Sequence, residues 1–221
     1  MRWLAACLAG LFACAACAHS PDDAFVSAAD RLRPSVVLIT GTVARQTEYA
    51  TGTVVASGAW GSDILTVQHA LEGASTLHAI VGNKTRYGAQ VAAVDRGLDI
   101  ALVRIPAHDL PVAELGTSAA IRPGRTIGLL GYPIPDQFNF EGFGLQTSTD
   151  QGTLSTIRHE AIEVRLPIVP GESGGPIFLA DDGKVIGVAE SRFESEQSIG
   201  FALPIDAAKQ FLHRTDSVHG F

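Results

Sequence analysis

Short runs of Val, Ile, Leu and Thr, each ended by Gly, Asn, Asp or Pro, recur along this chain and constrain its fold more than any other feature. Runs of this length between turn signals are typical of antiparallel sandwiches and barrels. Two groups of similar size are separated by a proline-containing stretch, so the pattern predicts an all-β protein with two barrels. The runs cover residues 35–43, 51–56, 64–67, 76–81, 89–94 and 100–105, and then 125–130, 152–157, 162–166, 177–179, 185–189 and 199–203.

Helical patterns occur at both ends of this β-rich region. Asp22 or Asp23 can cap a helix in which apolar residues recur every three or four positions until Pro34. Residues 205–214 can likewise form a helix with one apolar face. We therefore predict an N-terminal helix within residues 19–34, a first barrel over 35–112, a linker over 113–124, and a second barrel with a C-terminal helix over 125–221.

The first 18 residues predict an export signal that lies outside the fold. A charge at Arg2 precedes an apolar stretch that ends in small residues and is shorter than the roughly 20 residues a membrane span needs. A membrane-anchoring helix is the alternative interpretation. Cleavage after Ala18 would release a free protein, whereas Cys17, preceded by two alanines, suits a lipid anchor, the interpretation we favour. We expect an exported protein, periplasmic or lipid-anchored if the source is bacterial.

Composition excludes several classes of function. All three cysteines lie within the first 17 residues, so the domain has no internal disulfide and must be stabilised by burial. The formal net charge is −7 without blocks of like charge, which argues against a nucleic-acid partner. We expect neither a metal nor another cofactor, because ligand spacings such as HExxH are absent around His78, His108, His159, His213 and His219.

The segment most informative about function is residues 170–176, which read PGESGGP. Glycines on both sides of Ser173 allow backbone conformations that a Cβ would forbid. They also let backbone N–H groups converge on one point, where an oxyanion would form during acyl transfer. Because a serine hydroxyl is a weak nucleophile by itself, we expect a base within hydrogen-bonding distance.

The same segment also fits the nucleophile elbow of α/β-hydrolases, in which a serine lies between a strand and a helix. Here the following residues 177–188 read as two short apolar runs around Asp-Asp-Gly, the signature of a β-hairpin. The acid and the histidine follow the serine in that fold, yet only 48 residues remain after Ser173. An esterase of this type is therefore disfavoured.

Partners are present in the opposite chain order, histidine then aspartate then serine. His69 follows an apolar run that ends at Val67, and Asp99 precedes another that begins at Ile100. The spacings are 30 residues from His69 to Asp99 and 74 from Asp99 to Ser173. A single residue of these types in a turn is usually structural, so the prediction of a catalytic triad rests on their joint order.

With these motifs the chain resembles trypsin-like serine proteases, and among them the bacterial HtrA/Deg group. The resemblance implies two six-stranded antiparallel β-barrels and hydrolysis of protein or peptide substrates. A PDZ domain normally follows the barrels in that group, and we expect none here because the sequence ends one helix later. The similarity extends from about residue 24 to residue 212 and rests on LTVQH at 65–69, DIAL at 99–102, PGESGGP at 170–176 and IGFALP at 199–204.

The resemblance also implies roles for individual residues. Ser173 would attack the peptide carbonyl, His69 would transfer the proton, and Asp99 would orient the imidazole. The N–H groups of Gly171 and Ser173 would form the oxyanion hole. The substrate pocket would prefer small or medium apolar side chains, because its implied lining is Ile168, Val169, Ala189 and Ile199. The sequence assigns neither a natural substrate nor an oligomeric state.

Two features leave other outcomes open. Glu172 stands where the HtrA-like group has asparagine and the digestive enzymes have aspartate, so its longer carboxylate could tilt the Gly171 peptide. A catalytically silent protease fold that binds peptides is therefore the alternative to an active endopeptidase on exported or misfolded proteins. A loop with Phe138, Phe140 and Phe143 supplies either core aromatics or a mobile flap over the site.

Overall fold

Two β-sheet units are flanked by helices at the two ends of the chain. The computed structural model describes residues 21–119, 121–158, 160–190 and 198–219. It begins with α1 (Pro21–Leu32), followed by a 3₁₀ turn that contains Pro34, and it ends with α3 (Ile205–His219). The apolar face of α1 is buried on the second unit, where Phe25 stacks on Phe178 with ring centroids 5.7 Å apart.

The first unit is an antiparallel sheet of seven strands in the order β5-β4-β1-β2-β3-β7-β6. Its two edge strands, β5 and β6, are separated in the chain only by Ala89, whose N–H donates to the carbonyl of Leu77 at 2.9 Å. One bent strand therefore joins both edges, which reconciles seven strands with the predicted six-stranded barrel. The strands are β1 (Val36–Val43), β2 (Gln46–Gly58), β3 (Gly61–Val67), β4 (Leu77–Val81), β5 (Thr85–Gly88), β6 (Gln90–Asp95) and β7 (Ile100–Ile105).

The second unit is a closed six-stranded barrel in the order β10-β13-β12-β11-β8-β9, as predicted. A short helix, α2 (Pro135–Phe140), lies between β8 and β9 where the sequence predicts a loop. Six residues are too few to produce a helical hydrophobic period, so the sequence carries no signal for it. The strands are β8 (Thr126–Gly131), β9 (Ser148–Ile157), β10 (Ile162–Arg165), β11 (Pro176–Leu179), β12 (Val185–Glu190) and β13 (Gly200–Pro204).

The hydrophobic core is continuous across the two units. One cluster combines the first sheet and α1 with Tyr132, Phe178 and Leu203 of the second unit, while a smaller cluster fills the closed barrel. Burial of this kind fixes the two units against each other, so residues of one unit hold defined positions relative to residues of the other. Within the described residues, no helix is long and apolar enough to cross a membrane.

Candidate active site

His69 and Asp99 lie together at the ends of two paired strands. β3 pairs with β7 through Val67 opposite Ile100, so the residues just beyond these ends are brought side by side. The imidazole Nδ1 of His69 lies 2.6 Å from Oδ2 of Asp99, and the backbone N–H of His69 donates to Oδ1 at 2.8 Å. Asp99 adopts a left-handed backbone conformation with φ of 50°, which these contacts help to hold.

This contact determines which imidazole nitrogen can act as a base. A carboxylate that accepts from Nδ1 favours the tautomer with hydrogen on Nδ1 and leaves the lone pair on Nε2. The hydrogen bond to Asp99 raises the pKa of His69, burial opposes the rise, and the charges of Asp99 and Glu190 add to it. The side chain of His69 is 48% exposed, so the imidazole remains accessible to solvent.

Ser173 lies in a tight turn before β11, and it is 5% exposed. Gly171 and Gly174 have φ values of +96° and +88°, a region that favours glycine. The N–H of Gly174 donates to the carbonyl of Ala189 at 2.8 Å, and the N–H of Ala189 donates to the carbonyl of Gly175 at 2.8 Å. The end of β12 therefore holds the turn from one side.

Thr51 on β2 holds the turn from the other side and was not singled out by the sequence. Its N–H donates to the carbonyl of Ser173 at 2.8 Å, and its hydroxyl donates to the carbonyl of Gly171 at 2.7 Å. The same hydroxyl accepts the N–H of Tyr132 at 3.0 Å, while the hydroxyl of Thr66 on β3 donates to the carbonyl of Thr51 at 2.8 Å. Through Thr51 and Thr66, the serine turn is tied to the strand that leads to His69.

Glu172 points into the protein rather than into solvent. It is 2% exposed, its carboxylate accepts the N–H of Val169 at 3.0 Å, and its own N–H donates to the carbonyl of Val169 at 3.0 Å. Burial raises the pKa of Glu172 to about 7, the bond from Val169 opposes the rise, and Asp150 adds to it. The carboxylate thus belongs to the serine turn itself.

The four residues predicted to line a substrate pocket lie on segments that adjoin this turn. Ile168 packs over Gly200, the residue after the half-buried Ile199, and Ala189 is fully buried at the end of β12. Val169 makes the contacts to Glu172 described above. Their role as a pocket stays a prediction.

The aromatic segment beside the cleft is not part of the core. Phe140 and Phe143 are 92% and 67% exposed, so their interpretation as core aromatics is wrong. α2 is connected to β2 by a hydrogen bond from the hydroxyl of Tyr49 to the carboxylate of Asp136. A cavity of about 310 Å³ lies between these elements and reaches Gly171 at the serine turn.

Two packed β-units, with a histidine–aspartate pair on one and a serine in a glycine turn on the other, define the trypsin-like class of fold. The family described as the trypsin-like peptidase domain matches residues 50–188 of this sequence. The chain therefore belongs to the trypsin-like peptidase family.

Two relatives are named as serine proteases. A putative serine protease HhoB of Synechocystis sp. is 32% identical over 159 residues, which is 66% of this chain and 36% of the relative. A probable periplasmic serine endoprotease, DegP-like, of Marinomonas sp. is 29% identical over 157 residues, covering 70% of this chain and 33% of the relative. The chain thus spans about a third of the length of these relatives.

Solved structures show the same fold. The HtrA-type protease AlgW with a tripeptide superposes with a TM-score of 0.74 at 25% identity, covering 89% of this chain and 64% of that one. A serine endoprotease from Yersinia pestis gives a TM-score of 0.74 at 23% identity, covering 86% and 66%. These similarities confirm the predicted fold class and the resemblance to the HtrA group.

Proposed function

We propose that this chain is a serine endopeptidase that cleaves exported or misfolded polypeptides with Ser173 as nucleophile, His69 as base and Asp99 as orienting acid. The observation that carries the proposal is the pair of hydrogen bonds from His69 to Asp99, which leaves Nε2 as the basic nitrogen. The bridge through Thr51 and Thr66 supports it, because the bridge links the serine turn to the strand before His69.

The reaction would proceed through an acyl-enzyme. Ser173 Oγ attacks the peptide carbonyl while His69 Nε2 takes its proton, and the imidazolium is stabilised by Asp99. Collapse of the tetrahedral intermediate breaks the C–N bond, and His69 gives the proton to the leaving amine. A water molecule then attacks the ester, with His69 again acting as base, and releases the acid product and free Ser173.

The N–H groups of Gly171 and Ser173 are the proposed oxyanion hole. The three other amides of the turn already donate within the protein: those of Glu172, Gly174 and Gly175 bind the carbonyls of Val169, Ala189 and Glu172. These bonds support the assignment of Gly171 and Ser173 as the amides that donate hydrogen bonds to the developing oxyanion.

Substitution Ser173→Ala tests the nucleophile. The protein without residues 1–18 should degrade an unfolded protein and be labelled by a fluorophosphonate probe at Ser173. The alanine variant should lose labelling and at least about 10³ of kcat/KM, since a triad without its nucleophile retains little beyond binding and oxyanion stabilisation. Equal cleavage by both proteins would exclude Ser173 as nucleophile.

Export to the periplasm is proposed from the predicted signal and from a relative named as a probable periplasmic serine endoprotease. The N-terminal residues, with Cys17 and the alternative cleavage after Ala18, lie outside the described residues. A mass spectrum of the mature protein from a bacterial host distinguishes them. A diacylglycerol-modified N-terminal cysteine indicates an anchor at Cys17, and an unmodified His19 indicates a free protein.

The alternative function is a silent protease fold that binds peptides. The buried carboxylate of Glu172 within the serine turn favours it, because a charge there can distort the peptide of Gly171. Peptide binding by the wild-type protein without probe labelling or cleavage at any pH from 5 to 9 would be the outcome that supports this alternative.

A further inference from the structure

We propose that Glu172 and Asp150 form a carboxyl pair that holds one proton and positions the nucleophile turn, so that Glu172 is a positioning residue for the protease. The inference rests on the proposed role of Ser173. Glu172 does not take part in the acyl-transfer steps themselves, and neither Glu172 nor Asp150 is needed to orient His69.

Glu172 closes the turn with its backbone and its side chain together. Its N–H donates to the carbonyl of Val169, and its carboxyl accepts the N–H of the same residue, both at 3.0 Å. Gly171, which lies inside this closed turn, has a φ of +96° and offers one of the proposed oxyanion donors. Any movement of the Glu172 side chain therefore acts on the peptides that flank Gly171 and precede Ser173.

The side chain fits into a space that β8 leaves open for it. A Cβ added to Gly131 would lie 3.0 Å from Cγ and 3.1 Å from Cβ of Glu172. β8 pairs with β9 so that Leu129 is opposite Asp150 and Gly131 is opposite Ser148. Asp150 is thus a diagonal neighbour of Gly131 on one face of the sheet. Its charge and its side-chain hydrogen bonding both contribute to raising the pKa of Glu172.

The charges around Glu172 favour a shared proton over two carboxylates. From β9 the neighbouring charged group is Asp150. The phenol of Tyr132, just after β8, donates to the side-chain oxygen of Asn83 at 2.6 Å, and burial raises its pKa, so it is neutral at pH 7. Arg33, before β1, directs its guanidinium to the carbonyl of Thr147 and the hydroxyl of Thr149, both at 2.8 Å. Two ionised carboxylates in this position would repel each other, and burial would penalise the additional charge.

The shared proton gives the turn a dependence on pH. When Glu172 is protonated, one oxygen can accept from Val169 while its O–H donates to the carboxylate of Asp150. Burial raises the pKa of Glu172 to about 7, with Asp150 contributing, so this proton is lost near neutrality. The ionised pair is then relieved by moving one carboxylate away, which releases the N–H of Val169 and loosens the turn. The productive state therefore has a neutral His69 and a protonated Glu172.

Substitution Glu172→Gln tests this role, because an amide keeps the shape, accepts from Val169 and donates to Asp150 at every pH. Wild-type kcat should fall by about tenfold per pH unit above 7, if only the protonated turn is active. Glu172→Gln should abolish this alkaline loss, and Asp150→Asn should move it to lower pH, because Asp150 contributes to the raised pKa of Glu172. Glu160→Gln, which changes an exposed acid, should keep the wild-type profile. An alkaline loss that is the same in wild type and Glu172→Gln would overturn the proposal.

A measurement without catalysis separates this inference from the proposed function. In the Ser173→Ala protein, the ¹³C signal of the Glu172 carboxyl should titrate near pH 7, and the amide signals of Gly171 and Ser173 should shift with the same midpoint. Asp150→Asn should lower that midpoint. A midpoint near the ordinary glutamate value, or amide signals that do not follow the carboxyl, would overturn the positioning role. If Glu172 titrates near pH 7 and the two amide signals follow it, but the wild-type protein shows no cleavage that depends on Ser173, only the proposed protease activity is removed.

Discussion

A glycine can be required by its backbone conformation or by the lack of space for a Cβ, and comparison of Gly174 with Gly142 distinguishes the two reasons. Both have a positive φ, +88° at Gly174 and +82° at Gly142. A Cβ on Gly174 would lie 2.1 Å from the carbonyl oxygen of Thr51 and 2.5 Å from the hydroxyl of Thr66, whereas a Cβ on Gly142 would meet nothing within 4 Å. Gly142 is therefore required only by its backbone conformation. Gly174 is required both by its backbone conformation and by the close approach of the two β-units.

Alanine at these two positions should have unequal effects on stability. Gly142→Ala should lower the free energy of unfolding by about 1–2 kcal/mol, the cost of a left-handed conformation for a residue with a Cβ. Gly174→Ala should cost more than about 3 kcal/mol and reduce probe labelling of Ser173, because the turn must also move away from backbone atoms of β2. Urea unfolding curves of both variants provide the measurement. Equal losses would show that the close approach at Thr51 does not constrain the turn.

At the scale of elements, β2 connects the serine turn to the first unit. The hydroxyl of Thr51 donates to Gly171 and accepts from Tyr132, and both partners belong to the second unit. Thr51 is fully buried, so water cannot replace these bonds if the hydroxyl is removed. The geometry of the turn therefore depends on a strand more than 100 residues earlier in the sequence.

Thr51→Val keeps the side-chain shape and removes the hydroxyl. It should lower the free energy of unfolding by about 2–4 kcal/mol, since a buried donor and a buried acceptor lose their partner at about 1–3 kcal/mol each. It should also lower kcat by at least tenfold at unchanged KM, because the turn rather than substrate binding is disturbed. Thr51→Ser is the matched control, which loses a methyl group but keeps both bonds. A valine variant with the serine variant's kcat would contradict the role of this hydroxyl.

Strand signals in the sequence predicted most elements, and the failures have physical causes. The pattern placed the start of β2 at residue 51, whereas the strand begins at Gln46, because its first residues are polar and exposed and give no apolar signal. The pattern missed β5 (Thr85–Gly88) because this strand lacks an apolar run. His69, Asp99 and Ser173 could be selected from local motifs and chain order. Thr51 could not be selected, since a buried threonine on a strand has no local signature. The burial of Glu172 could not be predicted either, because it depends on the space that Gly131 leaves for the side chain.

For the whole molecule, the pKa shifts of Glu172, His69 and Asp206, all within the described part of the chain, contribute to how stability changes with pH. The folded-state pKa of Glu172 is raised to about 7 by burial, so the folded protein binds more protons than the unfolded chain between about 4.5 and 7. His69, whose pKa is raised by Asp99, contributes stability that is complete below its unfolded pKa of 6.5 and is lost as pH rises through the folded value. Burial alone would raise the pKa of Asp206, but hydrogen bonds from Ser118, Thr117 and Ala119 lower it, so its contribution is lost only as pH falls below about 4.

These signs predict that the protein is most stable near pH 5 and loses stability through neutral pH. The part due to Glu172 should amount to roughly 3 kcal/mol between pH 4.5 and pH 8, since each pKa unit corresponds to about 1.4 kcal/mol. Urea midpoints measured from pH 3 to pH 9 should show a maximum near pH 5. Glu172→Gln should remove the part of the decline due to Glu172 and leave the part due to His69, while Glu160→Gln should follow the wild-type curve. A wild-type midpoint that rises from pH 5 to pH 8 would be incompatible with a protonated Glu172 in the folded state, because an ordinary carboxylate in a paired or hydrogen-bonded site stabilises the fold as pH increases.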